Sequence, residues 1–103
     1  MLNKAVIANR FKTIQDSICS GLEELDGRSV FEEDLWEREG GGGGRTRIIQ
    51  NGDLIEKGGV NFSAVHGHLP ENIQKALGVS QSEFYATGVS IVLHPNSPLV
   101  PII

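Results

Sequence analysis

The stretch FYATGVSIVLH, residues 84–94, decides the fold because it predicts a β-strand with two unlike faces. Alternate residues of a strand point to opposite sides. One side carries mostly large side chains: Tyr85, Thr87, Val89, Ile91 and Leu93. The other side carries Phe84, Ala86, Gly88, Ser90, Val92 and His94. The first side suits packing beneath a helix, whereas the small residues from Ala86 to Ser90 leave room for a bulky group to lie across the second.

Ser90 and His94 are the candidate binding residues of this second side. They are four positions apart, so a rise of about 3.3 Å per residue separates them by about 13 Å. At that distance they cannot both ligate one metal ion, but both can touch one large, flat ligand. From the residues alone, two structural alternatives stay open: a serine hydrogen-bonded within the sheet and a structural histidine at a strand end.

The first segment predicts a helix that packs against a flat partner. Its apolar residues recur at steps of three or four, which is helical spacing: Ile7, Phe11, Ile14, Ile18, Leu22 and Leu25. Asp26-Gly27 then provides a C-terminal stop signal. Cys19 lies beside this stripe, where a packed small hydrophobe is favoured over a nucleophile.

The dipeptide Asn51-Gly52 predicts a β-hairpin over residues 45–57 with a two-residue type I′ turn. Such a turn sets Arg47 opposite Glu56, and their opposite charges support that register.

Three further segments complete the predicted elements. Residues 60–66 alternate like a strand, with His66 and His68 as surface or turn residues, and residues 70–77 predict a short helix. The acidic residues 31–39 indicate a solvated face or an edge strand. The predicted fold class is therefore α+β: an antiparallel meander of four or five strands, with one long helix on one face and a short helix inserted.

Five glycines occupy residues 40–44. A glycine run before a helix can cradle phosphate, but a β-like run from Arg45 to Ile49 follows, so a nucleotide site is disfavoured. A flexible loop that approaches or closes over a ligand is the preferred interpretation. Trp36 and Arg38 precede the run, and both a cation–π or core pair and a ligand role stay open for them.

Composition excludes several classes of protein. The 103 residues carry a formal net charge of −4, which argues against a nucleic-acid or anionic-membrane binder. No apolar run approaches the ~20 residues of a membrane span, and no signal peptide is predicted at the start. A single cysteine excludes an internal disulfide and favours a reducing, cytoplasmic compartment.

Three blocks of the sequence together resemble the oxygen-dependent coproporphyrinogen III oxidases: FEEDLWEREGGGGGRTR, EKGGVNFSAVHG and FYATGVSIVLHPNSPLVP. The resemblance implies a flat antiparallel sheet covered by helices, with residues 1–103 as the N-terminal part of a single domain. It also implies a homodimer that converts two propionates of coproporphyrinogen III to vinyls with O₂, giving protoporphyrinogen IX. No organic cofactor is expected, and some bacterial members are described with a divalent metal cation.

The same resemblance suggests roles for two residues of this chain. It implies that Ser90 contacts the substrate and that His94 ligates the metal. The proton-donor histidine of the family is expected just after Ile103, so no catalytic residue is expected within the chain, and these residues are not expected to form a complete catalyst. The turn Asn96-Ser97 departs from the Arg-Asn of many members, which weakens a role for it in gripping a propionate.

The roles of Arg45 and Arg47 and the function itself each have an alternative. Arg45 and Arg47 lie where a tetra-anionic substrate would favour cations, although Glu56 is the expected partner of Arg47. The alternative function, from a different class, is a non-enzymatic sheet domain that binds a planar ligand or a protein partner through the face of Gly88 and Ser90.

Overall fold

The computed structural model describes residues 3–78 and 83–103. These residues form a four-stranded antiparallel sheet and two helices. The elements are α1 (Lys4–Asp26), β1 (Glu32–Glu37), β2 (Gly42–Gln50), β3 (Ile55–His68), α2 (Glu71–Leu77) and β4 (Glu83–Pro95). The strand order is β1-β2-β3-β4, so each strand pairs with its neighbours in sequence. The predicted α+β meander, with one long and one inserted short helix, is confirmed.

The long helix α1 is capped at both ends. The Asn3 side chain accepts a hydrogen bond from the Val6 N–H at 2.9 Å, which satisfies one of the free donors of the first turn. Gly27 adopts a left-handed conformation with φ of 76°, and its N–H donates to the Glu23 carbonyl at 3.0 Å. The predicted stop at Asp26-Gly27 is therefore confirmed.

Helix α1 covers one side of the sheet, which we call the helix face. Lys12 Nζ lies 5.5 Å from the centroid of the Phe62 ring, and Gln15 Nε2 donates to the Val60 carbonyl at 2.9 Å. Val60 and Phe62 are buried beneath the helix. Their neighbours on β4 are Ile91 and Val89. The opposite side, which we call the open face, holds Asn61, Ser63, Gly88 and Ser90 in the centre of the sheet. The two unlike sides predicted from residues 84–94 are thus confirmed.

The buried stripe of α1 differs from the predicted one. Ile14 and Leu25 are 46% and 66% exposed, while Gln15 and Cys19 are buried. Gln15 is one position, or about 100° of helical rotation, from Ile14. The helix is rotated in this way because Gln15 meets polar groups of β2 and β3 that periodicity does not reveal. Cys19, at 3% exposed, is a packed residue as predicted.

The hairpin between β2 and β3 exists, but its predicted tight turn and register are wrong. The Asn51 N–H donates to the Glu56 carbonyl, and the Gly52 N–H donates to the Ile55 carbonyl, each at 3.0 Å. Arg47 consequently lies opposite Val60 rather than Glu56. The loop is longer than two residues, and Asn51 has a φ of 58°, the only left-handed non-glycine residue of the described chain.

The longer loop is held by the carboxylate of Asp26, the last residue of α1. Asp26 Oδ1 accepts from the backbone N–H groups of Leu54 and Ile55 at 2.8 and 2.9 Å. Its Oδ2 accepts from the N–H groups of Arg28, Ser29 and Asp53. These hydrogen bonds hold the pKa of Asp26 well below its usual range, and the one from Ser29 has the largest effect. Burial of the carboxylate acts in the opposite direction and raises the pKa. Gly52 is needed because a Cβ there would collide with this carboxylate.

The glycine run is also placed differently from the prediction. Gly42, Gly43 and Gly44 belong to β2, and only Gly40 and Gly41 lie in the turn after β1. A Cβ on Gly42 or Gly44 would collide with backbone carbonyls of β3. The run therefore serves close strand packing, and the predicted flexible closing loop is wrong. The acidic segment before it forms the edge strand β1, as one of the two open interpretations proposed.

After β4 the chain turns back along the sheet. The Asn96 side chain donates to the carbonyls of Gly52 and Asp53 at 2.8 and 3.0 Å, which ties this turn to the β2–β3 loop. Leu93 and Ile103 then exchange backbone hydrogen bonds at 2.8 and 3.2 Å. Such a reciprocal pair is antiparallel, so the returning backbone lies beside β4.

Candidate functional site

The centre of the open face combines small residues from three adjacent strands. Ser63 of β3 lies opposite Gly44 of β2 and opposite Gly88 of β4. A Cβ added to Gly88 would meet no atom within 4 Å, so the space above it is open. A shallow cavity of about 230 Å³ lies over this part of β4 and includes Ser90. The sheet thus presents a flat floor with little side-chain bulk, as the sequence of β4 predicted.

Ser90 and His94 both lie on this open face. Their register partners on β3 are Asn61 and Lys57, and both side chains are exposed. The Ser90 hydroxyl has no hydrogen-bond partner among residues 3–78 and 83–103. The strand register therefore confirms that the two residues share a side away from α1. Their roles toward a substrate or a metal stay predictions.

A chain of hydrogen bonds crosses the open face from β1 to β3. Trp36 Nε1 donates to Thr46 Oγ1 at 3.0 Å, and Thr46 Oγ1 donates to Asn61 Oδ1 at 2.6 Å. The Trp36 ring lies against Gly44, where a Cβ would displace it. The indole therefore covers Gly44 and flanks the open part of the floor at Ser63 and Gly88.

Trp36 and Arg38 do not pair with each other, which was one of the two alternatives left open for them. Arg38 lies 5.4 Å from the centroid of the Phe84 ring and donates to the His66 carbonyl at 2.8 Å. Trp36 turns its ring onto Gly44 within the sheet, whereas Arg38 follows the last residue of β1 and reaches towards β3 and β4. The two side chains are therefore held by different strands.

Arg45 and Arg47 point to the helix face, away from Ser90. Arg47 bridges Asp16 and Glu33 at 2.8 and 3.0 Å, and Arg45 reaches Asp16 at 2.9 Å. Burial alone would lower the pKa of Arg47, but hydrogen bonds to Glu33, Cys19 and Asp16 raise it above its usual value. These cations are paired within the fold, so the predicted Arg47–Glu56 pair is wrong and neither arginine serves the open face.

Cys19 has the environment of a structural residue rather than a nucleophile. Burial raises the pKa of its thiol, although a hydrogen bond with Arg47 opposes this effect. A thiol with a raised pKa is less ionised at neutral pH and thus less reactive.

His66 and His68 lie near one end of the sheet, distant in sequence register from Ser90. Both are exposed residues of β3, which confirms their predicted surface position. They line a cavity of about 820 Å³ together with Lys4, Gly67, Glu83, Phe84 and Tyr85. The cavity does not include Ser90 or His94.

The donor set for a metal is incomplete in this part of the protein. Residues 3–78 and 83–103 hold no group of three His, Cys, Asp or Glu side chains suited to a metal ion. Catalytic zinc, for comparison, takes three protein ligands. Within the described residues His94 would therefore supply one donor, without two further His, Cys, Asp or Glu ligands beside it.

Sequence reasoning missed Thr46 and Asn61 as site residues. The alternation of residues 60–66 puts Asn61 on the side of Ser63 and Val65, but its neighbours on other strands depend on the register. The available signal was the alternation itself, since a polar Asn61-x-Ser63 pattern on an otherwise β-like strand marks a side that is not packed.

No described helix is long and apolar enough to span a membrane.

Comparison with known proteins adds a family match. The family profile described as Coproporphyrinogen III oxidase matches residues 6–103. The chain is 48% identical over 95 residues to the oxygen-dependent coproporphyrinogen-III oxidase of Prochlorococcus marinus (strain MIT 9312). It is 49% identical over 90 residues to the protein of that name from Prochlorococcus marinus (strain NATL2A).

The aligned regions cover different shares of the two sequences. They include 90% and 85% of this chain, but 28% and 26% of the respective relatives. The chain therefore spans about a quarter of the length of these relatives, and all three sequence blocks that carry the resemblance lie within the matched range.

Proposed function

We propose a function from one premise: this chain belongs to the coproporphyrinogen III oxidase family. The proposed activity is oxidative decarboxylation of two propionate groups of coproporphyrinogen III to vinyl groups, with O₂ as oxidant and protoporphyrinogen IX as product. The family match over residues 6–103 carries this proposal. Since the chain covers 28% of its relative, the activity is assigned to a full-length protein that contains this segment.

The chemistry defines what such a site must do. Each propionate loses CO₂, one proton and two electrons as it becomes a vinyl group, and O₂ takes up the electrons. The protein must hold the macrocycle in one orientation, exclude competing oxidants and accept the proton that each propionate loses. No organic cofactor is needed in this scheme, because the electron acceptor is the co-substrate itself.

The open face provides a suitable floor for a macrocycle. Ser63 and Gly88 leave this part of the sheet free of bulk, while the Trp36 ring lies over Gly44 beside it. We assign substrate contact to Ser90, whose hydroxyl is exposed on this floor. The alternative, a non-enzymatic binding domain on the same face, is not favoured by the family match.

The return of the chain along β4 supports a position for the proton donor. Ile103 pairs with Leu93 in antiparallel fashion, so a residue that continues this strand pairs with Val92. Val92 belongs to the open face, and directly opposite residues of two strands point to the same side. A histidine one position after Ile103, as the resemblance implies, would therefore face the same space as Ser90 and His94.

Three finer assignments accompany the proposal. His94 is proposed as one ligand of a divalent metal, with the others contributed by residues outside this segment. A homodimer and a cytoplasmic location are proposed from the family resemblance and from the single cysteine of the chain.

Replacing His94 by alanine in the full-length protein is expected to lower the bound metal per subunit, measured by atomic emission. An unchanged metal content would return His94 to a structural role.

The decisive experiment is turnover by a full-length protein that contains this segment. Coproporphyrinogen III is supplied with and without O₂, and product is read as protoporphyrin fluorescence after oxidation. We expect product only when O₂ is present. Equal turnover without O₂, or substrate binding with no turnover, would contradict the proposal, and the second result would favour the binding domain.

A further inference from the structure

We propose that Asn61 donates its side-chain amide N–H to a carboxylate of the substrate, beside Ser90, and that Thr46 and Trp36 position it for this contact. The inference rests on the proposed function, because it names a contact to the tetracarboxylate that the function supplies. Three observations carry it: the order of donors across the open face, the register of Asn61 with Ser90, and the free amide nitrogen.

The order of donors determines how the Asn61 amide is turned. An indole N–H donates and never accepts, so Thr46 Oγ1 is the acceptor of the 3.0 Å contact with Trp36. The Thr46 hydroxyl proton is then available for its other neighbour, Asn61, at 2.6 Å. A partner that accepts this proton must be the amide oxygen, so Asn61 turns its Oδ1 towards Thr46 and its Nδ2 away from it.

The Nδ2 group of Asn61 is left without a partner among residues 3–78 and 83–103. Asn61 is half-buried, and its nitrogen is not among the buried atoms that lack a partner, so the group is accessible from the open face. The hydrogen bond between Thr46 and Asn61 uses only the amide oxygen of Asn61 and leaves its amide nitrogen without a role in the sheet. The donor is therefore available to a ligand on the open face.

Ser90 lies directly opposite Asn61 in the pairing of β3 with β4. Directly opposite residues on one face have Cβ atoms about 5 Å apart. The Ser90 hydroxyl and the Asn61 amide are therefore two neighbouring donors, and the two oxygens of one carboxylate can accept from both. The glycine opposite Ser63 leaves space for the propionate chain to reach them.

The main test compares Asn61→Asp with Gln50→Glu in the full-length oxidase. The introduced aspartate would keep an oxygen for Thr46 but replace the free N–H donor by a negatively charged acceptor, which repels the substrate carboxylate. We expect KM for coproporphyrinogen III to rise at least about tenfold with kcat changed less than about threefold. Gln50 lies on the same face at the far end of β2, so Gln50→Glu adds the same charge and is expected to leave KM within about twofold.

A second pair of variants tests the positioning by Thr46. Thr46→Val removes the hydroxyl at nearly constant volume and frees the Asn61 amide to rotate, so KM is expected to rise about fivefold. Thr46→Ser keeps the hydroxyl and is expected to restore KM. These variants leave Asn61 in place, so they test the proposal even if Asn61→Asp does not fold.

The possible failures are distinguishable. An unsubstituted protein with no O₂-dependent turnover contradicts the proposed function itself. Normal turnover with an unchanged KM in Asn61→Asp overturns only the assignment of Asn61. Equal increases in KM for Asn61→Asp and Gln50→Glu would show a general charge effect and overturn it as well.

Discussion

The two faces of the sheet use polar residues in opposite ways. On the helix face Arg45 and Arg47 are paired with carboxylates of α1 and β1, and Gln15 is bonded to the backbone of β2 and β3. On the open face Asn61 and Ser90 keep donors without partners in the described chain. Polar groups that stabilise the fold are satisfied internally, whereas polar groups available to a ligand are left accessible. The comparison therefore separates positions that affect stability from positions that affect binding.

The largest expected effect is on the helix side, at Asp26. All five contacts of its carboxylate are backbone N–H donors, so Asp26→Asn would direct an amide NH₂ against other N–H groups. We expect a loss of about 3 kcal/mol in the free energy of unfolding, measured by urea titration. Asp53→Asn on the same loop is the control, since the Asp53 side chain makes an exposed ion pair and its loss should change stability by less than about 0.5 kcal/mol. Similar losses in both variants would contradict this account.

Ser90→Leu is expected to have the next largest effect, and on activity alone. The larger side chain would occupy the space above Gly88, which lies open in the structure. We expect kcat/KM to fall about 100-fold, equivalent to about 2.7 kcal/mol, while the free energy of unfolding changes by less than about 0.5 kcal/mol. Kinetics and urea unfolding of the full-length protein measure the two quantities. Unchanged turnover would remove Ser90 from the substrate site.

Two glycines on the open face should respond differently to the same small change. A Cβ on Gly44 would collide with the Phe62 carbonyl and the Trp36 ring, whereas a Cβ on Gly88 meets nothing within 4 Å. We expect Gly44→Ala to cost about 2 kcal/mol and Gly88→Ala to stay within about 0.5 kcal/mol. Thermal unfolding of both variants tests the difference. Equal costs would contradict the difference in packing between these two positions of the open face.

The smallest effect expected is the acid sensitivity caused by Asp26. Its pKa is lower in the folded than in the unfolded protein, so its stabilisation is complete above about pH 5 and is lost progressively as the pH falls further. By pH 3 the loss should reach about 1 kcal/mol, and Asp26→Asn should lack this component. Urea unfolding of both proteins between pH 6 and pH 3 measures it. Identical pH slopes would contradict the assignment.

The sequence predicted the faces of β4 and the end and flat partner of α1, because these depend on local periodicity and on a local stop signal. It did not predict the hairpin register. The carboxylate that holds the β2–β3 loop belongs to Asp26, 25 positions before Asn51, and a local turn rule does not include it. The exposure of Ile14 has a similar cause, since Gln15 binds backbone carbonyls that only the folded sheet brings together.

For the candidate site, the sequence predicted which residues of one strand share a face, but not which residues of different strands come together. Ser90 and His94 share one strand, so alternation alone assigned them to one side. Trp36, Thr46 and Asn61 come from three strands, and their contacts follow from the register of two separate pairings. An error in the register, such as the one at the hairpin, changes which residues lie opposite each other across the strands. The hydrogen bonds that join Trp36, Thr46 and Asn61 therefore became evident only in the structure.

The strand order of the sheet has a consequence for synthesis on the ribosome. Since spatial order equals chain order, each strand after β1 finds one of its neighbours already made, directly before it in the chain. No strand has to wait for a distant segment, so the sheet is able to grow one hairpin at a time while α1, made first, is ready to cover it. The returning segment then pairs with β4 in the same way, through the two backbone hydrogen bonds between Leu93 and Ile103.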